Sequence, residues 1–333
     1  MKAFTIKKYD KKGILELTVV PIPVIKDDEV LIEIHASGLN VLDAKLKSGE
    51  FKLMLPYKFP LILGHDVAGV ITQIGKNVKQ FKVGEEVYSR VPDFHIGTLA
   101  EYIVVNDASV ALKPKNITME QAASMPLVAL TAWQALVELA AIKKGDKVFI
   151  QAGSGGVGTI AIQLAKHLGA IVATTASEKS FAMLKQLKAD VLIDYKTQDF
   201  ETMLKDYDVV LHSQDTETLQ KSLKVLKPGG KIISISGPPT PAFAKAIGAS
   251  WFIKMVLSIL SYGVRKKAKK LAVDYSFLFM RADGQQLTEL TSLIEAEIIK
   301  PIVDKVFPFE ETNKAFAYVE SGRVKGKVVV KVR

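Results

Sequence analysis

Cysteine is absent from all 333 residues. That excludes disulfides, thiolate zinc ligands and a cysteine nucleophile together, and it suits a reducing compartment. The first residues, MKAFTIKKYDKKG, hold no apolar stretch long enough for a secretory signal peptide. The most apolar later segment, Trp251 to Tyr262, is interrupted by Lys254 and is too short to span a bilayer. It reads as a buried or interface helix. No internal repeat and no low-complexity linker is present. These absences lead to the expectation of a soluble cytoplasmic protein without a membrane partner.

What is present is enough chain for two domains with cores of their own. The formal net charge is +10, with a basic cluster at Arg265, Lys266, Lys267, Lys269 and Lys270. Such a run reads as a solvated helix face, with an anionic surface or nucleic acid as the sharper alternative. No aromatic-plus-basic module accompanies the cluster, so no nucleic-acid partner is expected.

Residues 147–158 read KVFIQAGSGGVG, a β-branched strand running into Gly153-x-Gly155-x-x-Gly158. A glycine trio there permits a tight turn, close approach of a pyrophosphate and packing of the next helix on the sheet. That helix, from about Val157 to Leu168, aims free N–H groups and its positive dipole end at phosphates, with Gly156 and Val157 among the expected cofactor-binding residues. The segment predicts dinucleotide binding.

The first ~120 residues are β-rich, with runs at Val30–Ala36, Val67–Ile74 and Glu86–Ser89 separated by turn residues. From about Thr118 the spacing of apolar residues becomes helical. Strands are expected at 147–152, 170–175, 191–193, 208–212, 231–236 and 275–280, with helices near 157–168, 178–188, 216–226 and 243–260. This alternation predicts an α/β chain with a doubly wound, parallel, six-stranded sheet beside a small, partly closed β-barrel. The tail, a helix and the strand KVVVKV, is most economically placed back in the barrel domain.

With these elements in order, the whole chain resembles the medium-chain dehydrogenase/reductase superfamily, in its zinc-free quinone oxidoreductase-like branch. The residues that carry the resemblance are ASGLNVLDAKLKSG (36–49), LGHDVAGVITQIGKNVKQFKVGEEV (63–87), GTLAEYIVV (97–105), LVALTAWQAL (127–136), GDKVFIQAGSGGVGTIAIQLAK (145–166), LKADVLIDY (187–195), LKPGGKIISISG (226–237) and GKVVVKV (326–332). The resemblance implies a Rossmann domain over 125–281 and a discontinuous GroES-like barrel domain over 1–124 and 282–333. Zinc-dependent relatives hold their metal with Cys, a His-Glu pair and a further Cys or acid. Here those positions read Asn40 and His65-Asp66, and the four-Cys lobe is missing. One imidazole and one carboxylate do not make a catalytic zinc site, so no metal is expected.

Beyond the strand at 170–175 an acid would favour NAD. This chain reads Thr174-Thr175-Ala176-Ser177-Glu178-Lys179-Ser180. Serine and lysine suit a 2′-phosphate, so NADPH is the expected cofactor. By resemblance, Ser177, Lys179 and Tyr195 contact the adenosine phosphate, Thr131 the nicotinamide carboxamide, and Ser236 and Gly237 lie against the nicotinamide. A conjugated enone or quinone is already electrophilic, and hydrogen-bond donors can stabilise the charge that develops on its oxygen. By resemblance Asn40 and Lys45 are those donors, with Asp43 orienting Lys45; a plain surface pair of Asp43 and Lys45 is the alternative. Phe51 stands where some bacterial quinone reductases have Tyr, and GEF looks more like the chloroplast-type enone reductases. Proton delivery is open between water and Lys45. Where the family usually has Asp-x-x-Gly-Gly, this chain has His212-Ser213-Gln214-Asp215-Thr216; His212 is read as an acid near the ribose or, preferably, as a satisfied structural histidine.

The resulting expectation is a zinc-independent NADPH-dependent reductase of enones, enals or quinones. One-electron quinone reduction of zeta-crystallin type and a low-activity, NADPH-binding, RNA-associated protein are the alternatives. A homodimer is expected, with KIISISG at a sheet edge.

Overall fold

The computed structural model describes residues 1–52, 54–248 and 250–333. By internal contacts the chain divides into one unit of Met1–Leu130 with Arg281–Arg333 and a second of Thr131–Met280.

In chain order the first unit begins with β1 (Lys2–Ile6), β2 (Glu16–Val19), β3 (Glu29–Leu39), β4 (Leu61–Ile62), β5 (Asp66–Ile74), β6 (Glu86–Arg90), β7 (Tyr102–Asn106) and β8 (Val110–Leu112). The second unit holds β9 (Lys147–Ile150), β10 (Ile171–Ala176), β11 (Val191–Asp194), β12 (Tyr207–His212), β13 (Leu226–Ser234) and β14 (Asp274–Phe277). The chain then returns to the first unit with β15 (Val303–Pro308) and β16 (Lys327–Lys331).

The larger sheet of the first unit runs β15-β16-β3-β5-β6-β8, with β7 also on β3. Its centre is the long β3, whose alternate residues Val30, Ile32 and Ile34 are buried against Val67, Ile71 and Val87. Alternation of this kind puts one face of a strand into the core. β16 joins β3 antiparallel, with Val328 opposite Leu39 and Val330 opposite Ser37. That pairing brings the last residues of the chain beside residues 36–39.

The second unit is a sheet of order β11-β10-β9-β12-β13-β14 in which every pair is parallel. Its core gathers Phe149, Ala173, Val210, Leu219, Leu223 and Ile232 from strands and covering helix. Strand order reverses beside β9, and the carboxyl ends at such a switch point are where α/β sheets bind ligands.

Three expectations are corrected. The strand of KIISISG is interior, since β13 lies between β12 and β14; β14 forms the edge. The helix expected over 243–260 is two helices, Pro241–Ala246 and Trp251–Lys270; Gly248, at φ +66, follows the first, and Ser250 caps the second by accepting from the Ile253 N–H. Position 249 of that expectation lies outside the described residues. The segment from Trp251 to Tyr262 is buried on one side only: Leu257 and Ser261 face inward, while Trp251, Phe252, Ile259, Leu260 and Tyr262 are exposed.

Candidate active site

At the carboxyl edge of the parallel sheet, β9 ends in the glycine loop. Gly153 N–H donates to Thr175 O (3.0 Å), seating the loop beside the end of β10. A Cβ at Gly158 would stand 2.4 Å from Ala152 O and 2.6 Å from Gly153 Cα, so only glycine lets the helix start this close to the turn. Gly155 differs. Its added Cβ would meet nothing nearer than Ala152 O at 3.4 Å, leaving that side of the loop open. The helix Gly156–His167 follows, and buries Ile160, Ala161, Leu164 and Ala165. The N–H groups of its first turn, from Gly156, Val157 and Gly158, have no acceptor within the helix, which makes an anion-binding end.

Parallel pairing of β10 with β11 sets Ala176 opposite Asp194, so Ser177 and Tyr195 leave adjacent strand ends together. Tyr195 is exposed, Ser177 half-buried and Lys179 exposed. The loop glycines, Ser177 and Tyr195 therefore share one sheet edge. Thr131 is buried in the helix Pro126–Trp133.

On β12, His212 is buried with both ring nitrogens engaged. Nε2 faces Asp215 O at 3.1 Å and Nδ1 faces Ser234 Oγ at 2.8 Å. A carbonyl can only accept, so Nε2 carries the proton and Nδ1 accepts from the serine. Burial pushes the imidazole down to about 4, against the Asp215 carbonyl and carboxylate that favour its charge. His212 is a neutral structural residue, holding the loop to β13. Ser234 Oγ in turn accepts from Gly237 N–H (2.7 Å), while Ser236 Oγ donates to Gln214 O (2.6 Å). Ser236 and Gly237 are thus fixed against the same histidine loop.

The first unit holds a second cluster, at the end of β3 and the start of β5. Lys327, buried at the start of β16, donates to Leu39 O (2.9 Å), to Asn40 Oδ1 and to Asp66 Oδ2 (3.2 Å). Asn40 Nδ2 donates to Asp66 Oδ2 (2.9 Å), and Asp66 Oδ1 accepts from Leu127 N–H (2.8 Å). Asp43 Oδ2 accepts from Asn40 N–H (2.8 Å), and Asp43 Oδ1 lies 2.6 Å from His65 Nδ1. Beyond the ring, His65 Nε2 is 3.7 Å from Asp93 Oδ1, which also receives Arg90 (2.8 Å). Burial alone would lower the His65 pKa, but the Asp43 and Asp93 carboxylates outweigh it and raise the value. Burial raises Asp66, opposed by the Lys327 ammonium and the Asn40 amide.

This geometry separates the three residues expected to act together. Asp43 does not orient Lys45, because its two oxygens are taken by His65 and the Asn40 backbone. Lys45, half-exposed on the helix Val41–Ser48, lies 3.9 Å from Glu50 instead. Asn40 is buried with both ends of its amide bonded, so it fixes the position of its charged neighbours rather than offering a free donor. Lys327, Arg90 and Asp93 escaped sequence reasoning. In KVVVKV, Lys327 and Lys331 look alike, yet the first is buried and the second exposed.

As for a metal, no group of three His, Cys, Asp or Glu side chains among the described residues is placed to hold one. At the position of the zinc ligands, Asn40 and Asp66 already close on the ammonium of Lys327, and a second cation there would be repelled. The residues do not fit catalytic zinc.

A parallel sheet ordered in this way, ending in such a glycine loop, defines the doubly wound dinucleotide-binding fold, here in a chain with a second, β-rich unit. Residues 26–115 match the alcohol dehydrogenase GroES-like domain family, and residues 187–330 match the zinc-binding dehydrogenase family. The chain is 35% identical to the mitochondrial NAD(P)H oxidoreductase RTN4IP1 of Danio rerio, over 100% of this chain and 91% of that protein. It is likewise 35% identical to the chloroplastic NADPH-dependent alkenal/one oxidoreductase of Arabidopsis thaliana, over 99% of this chain and 79% of that protein. Among solved structures, the quinone oxidoreductase of Coxiella burnetii superposes with TM-score 0.86 at 31% identity, covering 100% of this chain and 99% of that one. The chain belongs to the medium-chain dehydrogenase/reductase superfamily, in its zinc-free quinone oxidoreductase-like branch.

The relatives overturn the cytoplasmic expectation. RTN4IP1 of Danio rerio, like its namesakes in mouse, cattle and human, is named mitochondrial. Lack of cysteine fits any reducing compartment, and the polarity of residues 1–13 is no guide, since organelle transit segments are amphipathic rather than apolar. Those two features carry no address.

Proposed function

We propose that this oxidoreductase uses NADPH to reduce a double bond conjugated to a carbonyl, or a quinone. The observation that carries the reading is the phosphate cradle: a glycine loop open at Gly155, facing a helix N-terminus, beside a strand end that offers Ser177 before any acid. NADPH supplies a hydride when bound. Gly153, Gly155, Gly156, Val157 and Gly158 would hold its pyrophosphate, and Ser177, Lys179 and Tyr195 its 2′-phosphate. Thr131, Ser236 and Gly237 would border the nicotinamide. Two relatives' names point the same way, one to NADPH and alkenals, the other to quinones.

In this reading Lys45 faces the charge that develops on the substrate oxygen, as an ammonium near an anion lowers its energy. Asn40 and Asp43 position the helix that carries it. A screen of NADPH and NADH oxidation with short enals, cyclic enones and quinones tests the proposal. The expected result is turnover with NADPH that survives a strong chelator and yields no radical signal by electron spin resonance. Activity lost to the chelator and restored by Zn²⁺ would overturn it, as would equal use of NADH and NADPH by the parent or an undiminished NADPH preference after Ser177→Ala.

A further inference from the structure

The helix Trp251–Lys270 packs on the second unit through Leu257, Ser261, Val264 and Ala268, a single stripe at helical spacing. The opposite stripe is divided along its length. Its first three turns present Phe252, Met255, Ile259 and Tyr262, with Trp251 beside them, each between 44% and 74% exposed. Its last two turns present Lys266, Lys269 and Lys270, all exposed. Twenty residues at a rise of about 1.5 Å make a face of roughly 30 Å. A soluble surface rarely leaves so many large apolar side chains contiguous without a partner.

We propose that this face docks on an anionic lipid surface. Aromatic and aliphatic side chains beside a lysine cluster suit the boundary between acyl chains and charged headgroups. The helix contains no Asp or Glu. A second copy of this helix would bring no carboxylate to answer the lysines, whereas an anionic headgroup layer answers them along the whole basic end. At the basic end, Arg265, Lys269, Asp274 and Tyr275 line an open cavity of about 400 Å³ against the edge strand β14, next to where headgroups would lie. The helix is too polar at one end to cross a membrane, and among the described residues none is long and apolar enough to do so. Docking is thus peripheral. It stands independently of the substrate proposed above.

The test is co-sedimentation of the full chain with vesicles of phosphatidylcholine alone, or mixed with phosphatidylserine, at low and high salt. Binding is expected only to the mixed vesicles and is expected to weaken as salt rises. Two triple variants divide the face: Trp251→Ser/Phe252→Ser/Ile259→Ser keeps every lysine, and Lys266→Glu/Lys269→Glu/Lys270→Glu keeps every apolar residue. Each should lose at least about tenfold in vesicle binding while melting as the parent does, because all six side chains are exposed. Failure of the parent to bind either vesicle overturns the proposal. So does undiminished binding by the serine variant, which would reduce the effect to bulk positive charge. A dimer in analytical ultracentrifugation that dissociates in the serine variant also overturns it, by assigning the face to a second copy.

Discussion

Lys327 and Asp66 are a buried pair whose balance can be tested by removing one partner. Asp66 is fully buried and Lys327 nearly so. Lys327→Met should cost about 3–5 kcal/mol in denaturant unfolding, because a carboxylate is left without its cation. Adding Asp66→Asn should restore part of that loss. His212 makes a second prediction. The unfolded chain protonates this imidazole below about pH 6.5, the folded chain only below about 4. Between these values the unfolded state binds more protons, so stability falls as the pH drops. The full swing is on the order of 3 kcal/mol. Thermal unfolding of His212→Gln across that window should show a shallower fall than the parent. His65, raised rather than lowered, works in the opposite sense: its contribution is present at low pH and fades as pH rises through its folded value.

At the level of elements, the glycine loop separates folding from binding. Gly158→Ala forces a methyl against two backbone atoms and should cost about 1–3 kcal/mol, lowering the melting temperature. Gly155→Ala meets open space at a φ of −81, so its stability should stay within about 0.5 kcal/mol of the parent. Its methyl projects where a phosphate would approach, so NADPH affinity, read by fluorescence titration, should fall roughly tenfold or more. Strands such as Val148–Ile150 and Val209–Leu211 were legible because strands buried on both faces read as short β-branched runs between turn residues. The end of the helix at Ala246 and the new start at Trp251 were not. A glycine and a serine inside an apolar run look like tolerated helix residues until the serine is seen capping a new start. Nor could the pattern distinguish an inward apolar stripe from an outward one on the helix at 251–270, because both sides carry large apolar residues.

At the level of the whole molecule, the first unit cannot be completed until the end of the chain exists. β16 lies between β15 and β3, and it brings Lys327 to Leu39 and Asn40 across 287 or 288 positions of sequence. Contacts of such separation are late and slow to form. Truncation after Gly326 should therefore yield an aggregating or proteolysed product, while the parallel sheet of the second unit keeps its cooperative core. Limited proteolysis followed by mass spectrometry should recover a protected fragment spanning roughly 131–280. The same long reach explains why the polar cluster was invisible in sequence. Nothing in GLN at 38–40, HD at 65–66 or K at 327 announces that the three converge; only the register of β16 on β3 does so.

A charge tethered by peptide bonds behaves unlike one borrowed from solution. Its occupancy at Asp66 is complete at any dilution, and no competing chelator, scarcity of minerals or exchange with a foreign ion can strip it away. The counterion opposite that carboxylate is inherited with the polypeptide and changes only when the codon does.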